Sequence, residues 1–155
     1  MPSQSHTRDV PYTADDMLEL VADVDRYPDF LPWCSGARIK ERRDTPEGEE
    51  MVADLLVAYK MFRERFTSRV LTNRDERRID IDYIKGPFKR LENHWRFEPL
   101  ADGGCRIHFF IDFEFRNRLF QTLINGVFGV AQDKAIEAFV RRADAIYGHK
   151  VGSAS

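Results

Sequence analysis

The sequence lacks long hydrophobic runs and contains little cysteine, and both features narrow its possible class. No stretch of its 155 residues approaches the roughly 20 apolar residues of a membrane-spanning helix. The first six residues contain no apolar run, so we expect no secretory signal. The two cysteines, Cys34 and Cys105, match no CxxC motif. We therefore expect two free thiols and a cytoplasmic protein.

Excess charge of either sign is also absent. The chain has 24 basic and 26 acidic residues, a formal net charge of −2, so we expect no DNA partner. Because 43% of its residues are hydrophobic, the chain is not expected to be disordered. Its length suits one domain spanning residues 1–155, with order from about residue 7 to residue 148.

Aromatic residues, in contrast, are plentiful. The chain has 12 phenylalanines, five tyrosines and two tryptophans. A domain of this size with so many phenylalanines either packs an aromatic core or lines a cavity for an apolar ligand. Composition leaves both alternatives open.

The residue pattern predicts an α+β fold. A short strand at about 8–12 precedes a helix at about 14–24, where Thr13 and Asp16 form a variant of the capping box. Six strand-like segments follow, and the short turns between them favour antiparallel neighbours. These segments span about 36–43, 50–59, 62–73, 77–85, 90–98 and 105–115. A 3.6-residue period over about 118–147 predicts a long helix, around which one sheet would curve.

Catalytic motifs are missing from this pattern. None of the common nucleophile, metal-binding or phosphate-binding motifs occurs in the sequence. His6 and His149 lie near the chain ends, and His94 and His108 fall on strand faces predicted to point outward. We therefore expect no enzyme activity, no metal and no cofactor.

Two apolar segments have alternative interpretations. The uncharged stretch 119–132 is apolar on more than one helical face, so it either starts a buried helix or covers an apolar cavity. The turn at Phe30, Leu31 and Trp33, stiffened by prolines, either fills the core or forms an entrance for an apolar ligand or a membrane contact.

Polar residues on inward strand faces are a second candidate feature. Glu64 and Ser68 share a predicted face with Phe66, and Asn93 shares one with Trp95. Buried polar groups need partners. These residues either bind the oxygen of a ligand or form internal hydrogen bonds and a solvated rim.

The segment from residue 60 to residue 78 is locally basic. It contains seven lysines and arginines but only three acidic residues. Such a strand face is usually solvated, and its alternative role is contact with phosphate or RNA.

Four spaced blocks carry a family resemblance. They are Tyr27-Pro28-x-Phe30-Leu31-Pro32-Trp33-Cys34, Phe62-x-Glu64-x-Phe66-x-Ser68-x-Val70, Gly86-Pro87-Phe88-Lys89-x-Leu91 with Trp95-x-Phe97, and Phe113-x-Phe115. Together they resemble the coenzyme Q-binding family of the START-like superfamily, also described as SRPBCC or polyketide cyclase-like domains. The resemblance covers about residues 10–147, and the family also contains bacterial ribosome association toxins.

The resemblance implies a helix-grip fold, in which a seven-stranded sheet wraps around the C-terminal helix and encloses a cavity. It also implies non-enzymatic binding of a ubiquinone-like polyprenyl lipid in support of respiration. We expect transient contact with the inner face of the membrane. Ser68 and Asn93 could donate hydrogen bonds to the quinone carbonyls, whereas Glu64 could do so only when protonated. The candidate ligand-binding residues are Phe30, Leu31, Trp33, Phe62, Glu64, Phe66, Ser68, Asn93, Trp95, Phe97, Phe113, Phe115, Val127, Phe128 and Ala131.

The sequence leaves two alternative functions open. The protein could bind the large ribosomal subunit and block subunit association through a basic sheet face. The residues of that face would be Arg63, Arg65, Arg69, Arg77 and Arg78. A cyclase- or hydrolase-like enzyme is the weaker alternative, and Glu64 is its one obvious acid–base candidate.

Overall fold

The computed structural model describes residues 3–31, 33–59, 62–125 and 136–148. Its strands are β1 (Ser3–Val10), β2 (Cys34–Thr45), β3 (Gly48–Tyr59), β4 (Phe62–Asn73), β5 (Arg78–Lys85), β6 (Phe88–Pro99) and β7 (Cys105–Phe115). Its helices are α1 (Ala14–Ala22), a 3₁₀ helix (Val24–Asp29), α2 (Arg118–Asn125) and a C-terminal helical segment, residues 136–148. The predicted α+β class is confirmed.

All seven strands form one antiparallel sheet in the order β1-β7-β6-β5-β4-β3-β2. Hairpins join each strand from β2 to β7 to the next, as the short turns predict. The first strand is longer and earlier than the predicted 8–12. It pairs with β7 over its whole length, from Ser3 opposite Asp112 to Val10 opposite Cys105. Because an edge strand needs few apolar residues, β1 is polar before residue 8, and its sequence there does not show a strand pattern.

The first helix begins as its sequence predicts. The Thr13 hydroxyl accepts a hydrogen bond from the backbone N–H of Asp16 at 3.1 Å. Met17, Leu18 and Val21 are almost fully buried, and each contributes about 1.5–3 kcal/mol by leaving water. The aromatic turn that follows is more regular than predicted. Residues Val24–Asp29 form a 3₁₀ helix, and the Tyr27 carbonyl accepts a hydrogen bond from the Leu31 N–H at 2.9 Å.

The predicted long helix at 118–147 is described in two pieces, α2 and the C-terminal helical segment, and residues 126–135 lie outside the described residues. The C-terminal helical segment packs on the concave face of the sheet through Phe139 and Ala143. Within the described ranges, no helix is long and apolar enough to cross a bilayer.

The sheet has two distinguishable ends. At the α1 end, helix α1 meets the β4–β5 hairpin, and Asp15 and Glu19 form ion pairs with Arg77 (2.9 Å) and Arg74 (2.5 Å). At the opposite end, β4 and β6 begin, β5 and β7 finish, and α2 follows β7. We call this opposite end the α2 end.

The buried apolar residues of the concave face form two clusters. The main core lies under α1 and the C-terminal helical segment. Cys34 and Cys105 are both buried in it as free thiols, as expected from the sequence. The second cluster lies at the α2 end and consists of Phe66, Phe88, Phe113 and Phe115. We call it the aromatic cleft, a name for these four packed side chains and not for an empty cavity.

The convex face is polar and extensively paired. The guanidinium of Arg90 bonds to Asp112 at 3.1 Å and to Glu114 at 2.6 Å across the β6–β7 pair. His94 and His108 lie on this face, as predicted, and His94 contacts Asp80 at 2.6 Å. Charged pairs between neighbouring strands therefore cover much of the sheet's outer side.

Candidate functional site

The aromatic cleft is built around the ring of Phe88. This ring stacks on Phe115 at a centroid distance of 4.7 Å. It also meets Phe66 at 5.5 Å, Tyr83 at 5.6 Å and Phe113 at 5.8 Å, each close to perpendicular. Such edge-to-face pairs contribute about 0.5–1.5 kcal/mol each beyond the area they bury. The partly buried side chains that border the cluster are Leu55, Val57, Leu91 and Ile111.

The Gly86-Pro87 turn brings Phe88 into this position. Gly86 has a φ of +146°, and a Cβ at this residue would lie 2.6 Å from the Cβ of Phe66. Only glycine therefore lets the β5–β6 turn approach β4 so closely. The backbone N–H of Phe88 then donates to the Tyr83 hydroxyl at 3.1 Å. The turn thus brings β4, β5 and β6 together beside the aromatic cleft.

Ser68 supplies a polar atom on the concave face. It lies on β4 between Phe66 and Val70, and its residue is 4% exposed. Its hydroxyl oxygen has no hydrogen-bond partner among the described residues. A buried hydroxyl without a partner is costly, and it is available to an acceptor that enters the site.

Asn93 is already engaged. Its side-chain oxygen accepts a hydrogen bond from the Trp95 indole N–H at 3.0 Å, and its amide N–H donates to the Phe110 carbonyl at 2.7 Å. Of the two alternatives for this residue, the internal hydrogen bonds are the ones observed. Asn93 therefore fixes the orientation of Trp95, and one of its two amide N–H groups is already engaged.

Glu64 lies on the same strand face as Phe66 and Ser68, near the start of β4. It is exposed, in contrast to Ser68. It lies near the α2 end of the sheet, opposite Val57 of β3. It borders the cleft and does not line its interior.

Several predicted site residues lie in the main core instead. Phe30 packs edge-on against Phe139 at 5.2 Å, and Trp95 meets Phe139 at 5.1 Å. Phe97 and Leu31 are almost completely buried in the same cluster. Of the two interpretations of the Pro-rich turn, filling the core is the one that the structure shows for Phe30 and Leu31. Trp33 is partly buried against the same core, and its carbonyl accepts a hydrogen bond from the Ala58 N–H at 2.8 Å.

Of the remaining predicted positions, only some can be placed. Phe66, Phe113 and Phe115 meet in the cleft. The side chain of Phe62, together with Val127, Phe128 and Ala131, lies outside the described residues.

Phe88 is not among the predicted site residues, although it is the centre of the cluster. A register shift between Phe88 and Arg90 interrupts the strand alternation, so Phe88 does not share the pattern of Leu91 and Trp95. An aromatic residue directly after a Gly-Pro turn was the available signal.

The predicted basic face is wrong as a single surface. Arg77 lies at the α1 end with a φ of +52° and pairs with Asp15. On the convex side, Arg78 pairs with Asp80 at 3.1 Å and Arg69 with Glu50 at 3.4 Å. The charge surplus of this segment is cancelled at these positions by acids on α1, on β3 and on β5 itself.

Arg63 and Arg65 differ from the other three arginines. Both are exposed, and neither forms an ion pair with a described residue. They flank Glu64 at the start of β4, so the uncompensated part of the predicted basic face is confined to the α2 end.

The cleft is poor in reactive groups. The polar side chains that form or border it include those of Ser68, Tyr83, Glu64 and Gln121, whose Oε1 accepts a hydrogen bond from the Phe115 N–H at 2.7 Å. In the described part of the chain, no three His, Cys, Asp or Glu residues could hold a metal ion together. The arrangement suits an apolar ligand that carries few hydrogen-bond acceptors.

Comparison with known proteins shows how widely this architecture is shared. The family model described as "Polyketide cyclase / dehydrase and lipid transport" matches residues 10–140. The ribosome association toxin RatA of Escherichia coli K12 is 40% identical over 148 residues, which cover 95% of this chain and 90% of that protein. The mitochondrial coenzyme Q-binding protein coq10 of Schizosaccharomyces pombe is 29% identical over 138 residues, covering 88% of this chain and 84% of that protein.

Solved structures agree with the fold. The solution structure of an 18 kDa protein from Caulobacter crescentus superimposes with a TM-score of 0.79 at 38% identity, covering 96% of this chain and 99% of that one. A START superfamily protein from Mycobacterium smegmatis gives a TM-score of 0.78 at 20% identity, covering 93% and 98%. At that identity the second likeness shows the helix-grip fold alone.

Proposed function

Because this chain belongs to the polyketide cyclase/dehydrase and lipid transport family, we propose that it binds a ubiquinone-like polyprenyl lipid in the aromatic cleft. It acts as a carrier or chaperone in support of respiration and not as an enzyme. The observation that carries the proposal is the separate cluster of four buried phenylalanines at the α2 end of the sheet. The likeness to a coenzyme Q-binding protein supports the choice of ligand.

The chemistry of the cleft fits such a lipid. A polyprenyl tail has no hydrogen-bonding group, so its affinity comes from buried apolar area at about 25 cal/mol per Å². Phenylalanine side chains supply that area with few rotamers to immobilise. The Ser68 hydroxyl donates to one quinone carbonyl, and this bond provides the partner that it otherwise lacks.

The scarcity of acid–base groups supports a binding role. Glu64 is the carboxylate nearest to the cleft on β4, and it is exposed to solvent. General acid–base catalysis needs a group positioned at the reacting bond and tuned by its surroundings. We propose that Glu64 is neither positioned nor tuned in this way, and that no cofactor takes part.

Lipid extraction tests this function directly. Purified protein is extracted and analysed by mass spectrometry, and stripped protein is titrated with a short-chain ubiquinone. Phe88→Ala removes the centre of the cleft, whereas Phe109→Ala removes a comparably buried ring from the main core. We expect quinone binding to fall at least tenfold in Phe88→Ala and to persist in folded Phe109→Ala. Absence of quinone from the wild-type extract together with no binding on titration would refute the proposal.

Ribosome binding is a second candidate, favoured by the 40% identity to a ribosome association toxin and by the exposed Arg63 and Arg65. In this function the protein binds the large ribosomal subunit and blocks subunit association. The double variant Arg63→Glu/Arg65→Glu would then lose salt-sensitive cosedimentation with ribosomes. Arg96→Glu, on another part of the convex face, is the matched control. Cosedimentation that survives in the double variant argues against these arginines as the contact.

A further inference from the structure

We propose that the α2 end of the molecule docks on an anionic lipid bilayer through a rim of exposed apolar and basic side chains. The apolar members of this docking rim are Leu56, Ile84 and Leu119, and its basic members are Arg63, Arg65, Lys85, Arg116 and Arg118. The proposal goes beyond lipid binding in the cleft and does not depend on it.

Exposed apolar side chains concentrate at the α2 end. Among the described residues, the large hydrophobic side chains left exposed are Leu56 (37%), Ile84 (41%), Leu119 (75%) and Ile146 (36%). The first three lie on β3, β5 and α2 at the α2 end. Ile146 lies near the end of the C-terminal helical segment, where the neighbouring Tyr147 donates to the Asp16 carbonyl of α1. The exposure of Leu119 is the largest, and no described residue covers it.

Uncompensated positive charge is found at the same end. The five basic members of the rim are all exposed, and none forms an ion pair with a described residue. At the α1 end, by contrast, Arg74 and Arg77 pair with acids of α1. In the segments 63–65, 84–89 and 116–119 that supply these residues, Glu64 is the single acidic residue.

Backbone pairing makes the rim continuous. Leu56 is paired with Arg65 across β3 and β4, and Lys85 is paired with Thr67. The β5–β6 turn touches β4, because a Cβ on Gly86 would lie 3.1 Å from the Arg65 carbonyl oxygen. The Arg116 N–H then donates to the Pro87 carbonyl at 2.9 Å, and α2 begins two residues later.

The combination of side chains favours a bilayer over RNA. Basic residues attract both phosphodiester chains and anionic headgroups. An exposed leucine on an amphipathic helix gains little from a nucleic acid, whereas it enters the boundary between headgroups and acyl chains readily. Docking in this orientation places the aromatic cleft close to the membrane.

Vesicle sedimentation tests the rim without any quinone present. The full chain is mixed with phosphatidylcholine vesicles that either contain or lack phosphatidylglycerol, at low and high salt. We expect binding only to the anionic vesicles. Arg65→Gln/Lys85→Gln should weaken it roughly 30-fold, since each basic side chain near such a surface contributes about fivefold. Leu119→Ser should weaken it roughly tenfold.

Matched controls lie elsewhere on the surface. Arg96→Gln removes an exposed arginine of the convex face, and Ile146→Ser removes the exposed apolar residue outside the rim. Both should bind anionic vesicles like the wild type. No binding to anionic vesicles, or equal losses in rim and control variants, would overturn the proposal. Salt-sensitive binding to ribosomes that needs Arg65 and Lys85 but not Leu119, without vesicle binding, would assign the rim to RNA. Quinone titration in detergent reports on the cleft separately.

Discussion

Replacing Gly86 with alanine should destabilise the protein through a contact specific to the aromatic cleft. Its φ of +146° is a conformation that L side chains rarely adopt, which costs about 1–2 kcal/mol at such a position. The added methyl group would also lie 2.6 Å from the Phe66 Cβ and 2.9 Å from its Cα. Because one of these atoms is backbone, no rotamer change relieves the overlap, and we add about 1–3 kcal/mol for overpacking. The free energy of unfolding should therefore fall by about 2–5 kcal/mol.

Gly103→Ala is a control that has a positive φ but no steric overlap. Gly103 also has a positive φ, +90°, but a Cβ there would meet no atom within 4 Å. We expect it to cost only about 1–2 kcal/mol. Urea unfolding of both variants measures the difference, and a quinone titration of folded Gly86→Ala shows whether displacement of Phe66 closes the cleft. Equal free energies of unfolding for the two variants would refute the argument that the β5–β6 turn needs glycine for close approach.

Three further predictions concern single side chains. Burial opposes protonation of His94, but hydrogen bonds and charge from Glu92 and Asp80 outweigh it and raise the pKa of this imidazole. Its ion pairs therefore stabilise the fold fully below the unfolded pKa of about 6.5 and lose this contribution as pH rises through the folded pKa. The difference in unfolding free energy between wild type and His94→Gln is at most about 1 kcal/mol at this partly exposed site. This difference should shrink between pH 6 and pH 8, and a constant difference would contradict the raised pKa of His94. Burial raises the pKa of Cys105 to about 11, so native protein should react with a thiol reagent at Cys105 only on unfolding, and rapid labelling at pH 8 would contradict this burial. Ser68→Ala should weaken quinone binding severalfold and leave or increase stability, because it removes a buried hydroxyl without a partner; unchanged affinity would exclude Ser68 as the donor.

The sheet was predictable from the sequence because its signals are local. Gly-, Pro- and Asp-containing turns separate segments of alternating polarity, and Phe113 and Phe115 show the two-residue period of β7 directly. Features that depend on pairing between strands were not predictable in the same way. The polar strand β1 is specified by its partner β7. The bulge beside Phe88 takes that residue out of the alternating pattern of β6.

The charge of the predicted basic face was also misjudged, because it depends on which residues of the sheet lie side by side. A count along β4 finds a basic segment, but a sheet places each side chain beside residues distant in sequence. Glu50 on β3 therefore compensates Arg69 of β4, whereas Arg78 is compensated by Asp80 on its own strand, β5. At the α2 end, Arg63 and Arg65 lie beside Ala58 and Leu56 of β3, which carry no charge. Only the strand register shows which arginines of the basic segment have no acidic neighbour.

The buried phenylalanines among the described residues are divided between two clusters, which composition alone could not show. Phe97, Phe109 and Phe139 belong to the main core under the helices, whereas Phe66, Phe88, Phe113 and Phe115 form a separate cluster at the α2 end. On β4 the buried hydroxyl of Ser68 stands between Phe66 of the cleft and Val70 of the main core. A buried hydroxyl without a partner is costly, and two on β4, those of Ser68 and Thr72, have none among the described residues. Only Ser68 lies next to Phe66 of the cleft, so in the proposed function it is Ser68 that donates to the polar head while the apolar tail lies along the phenylalanines.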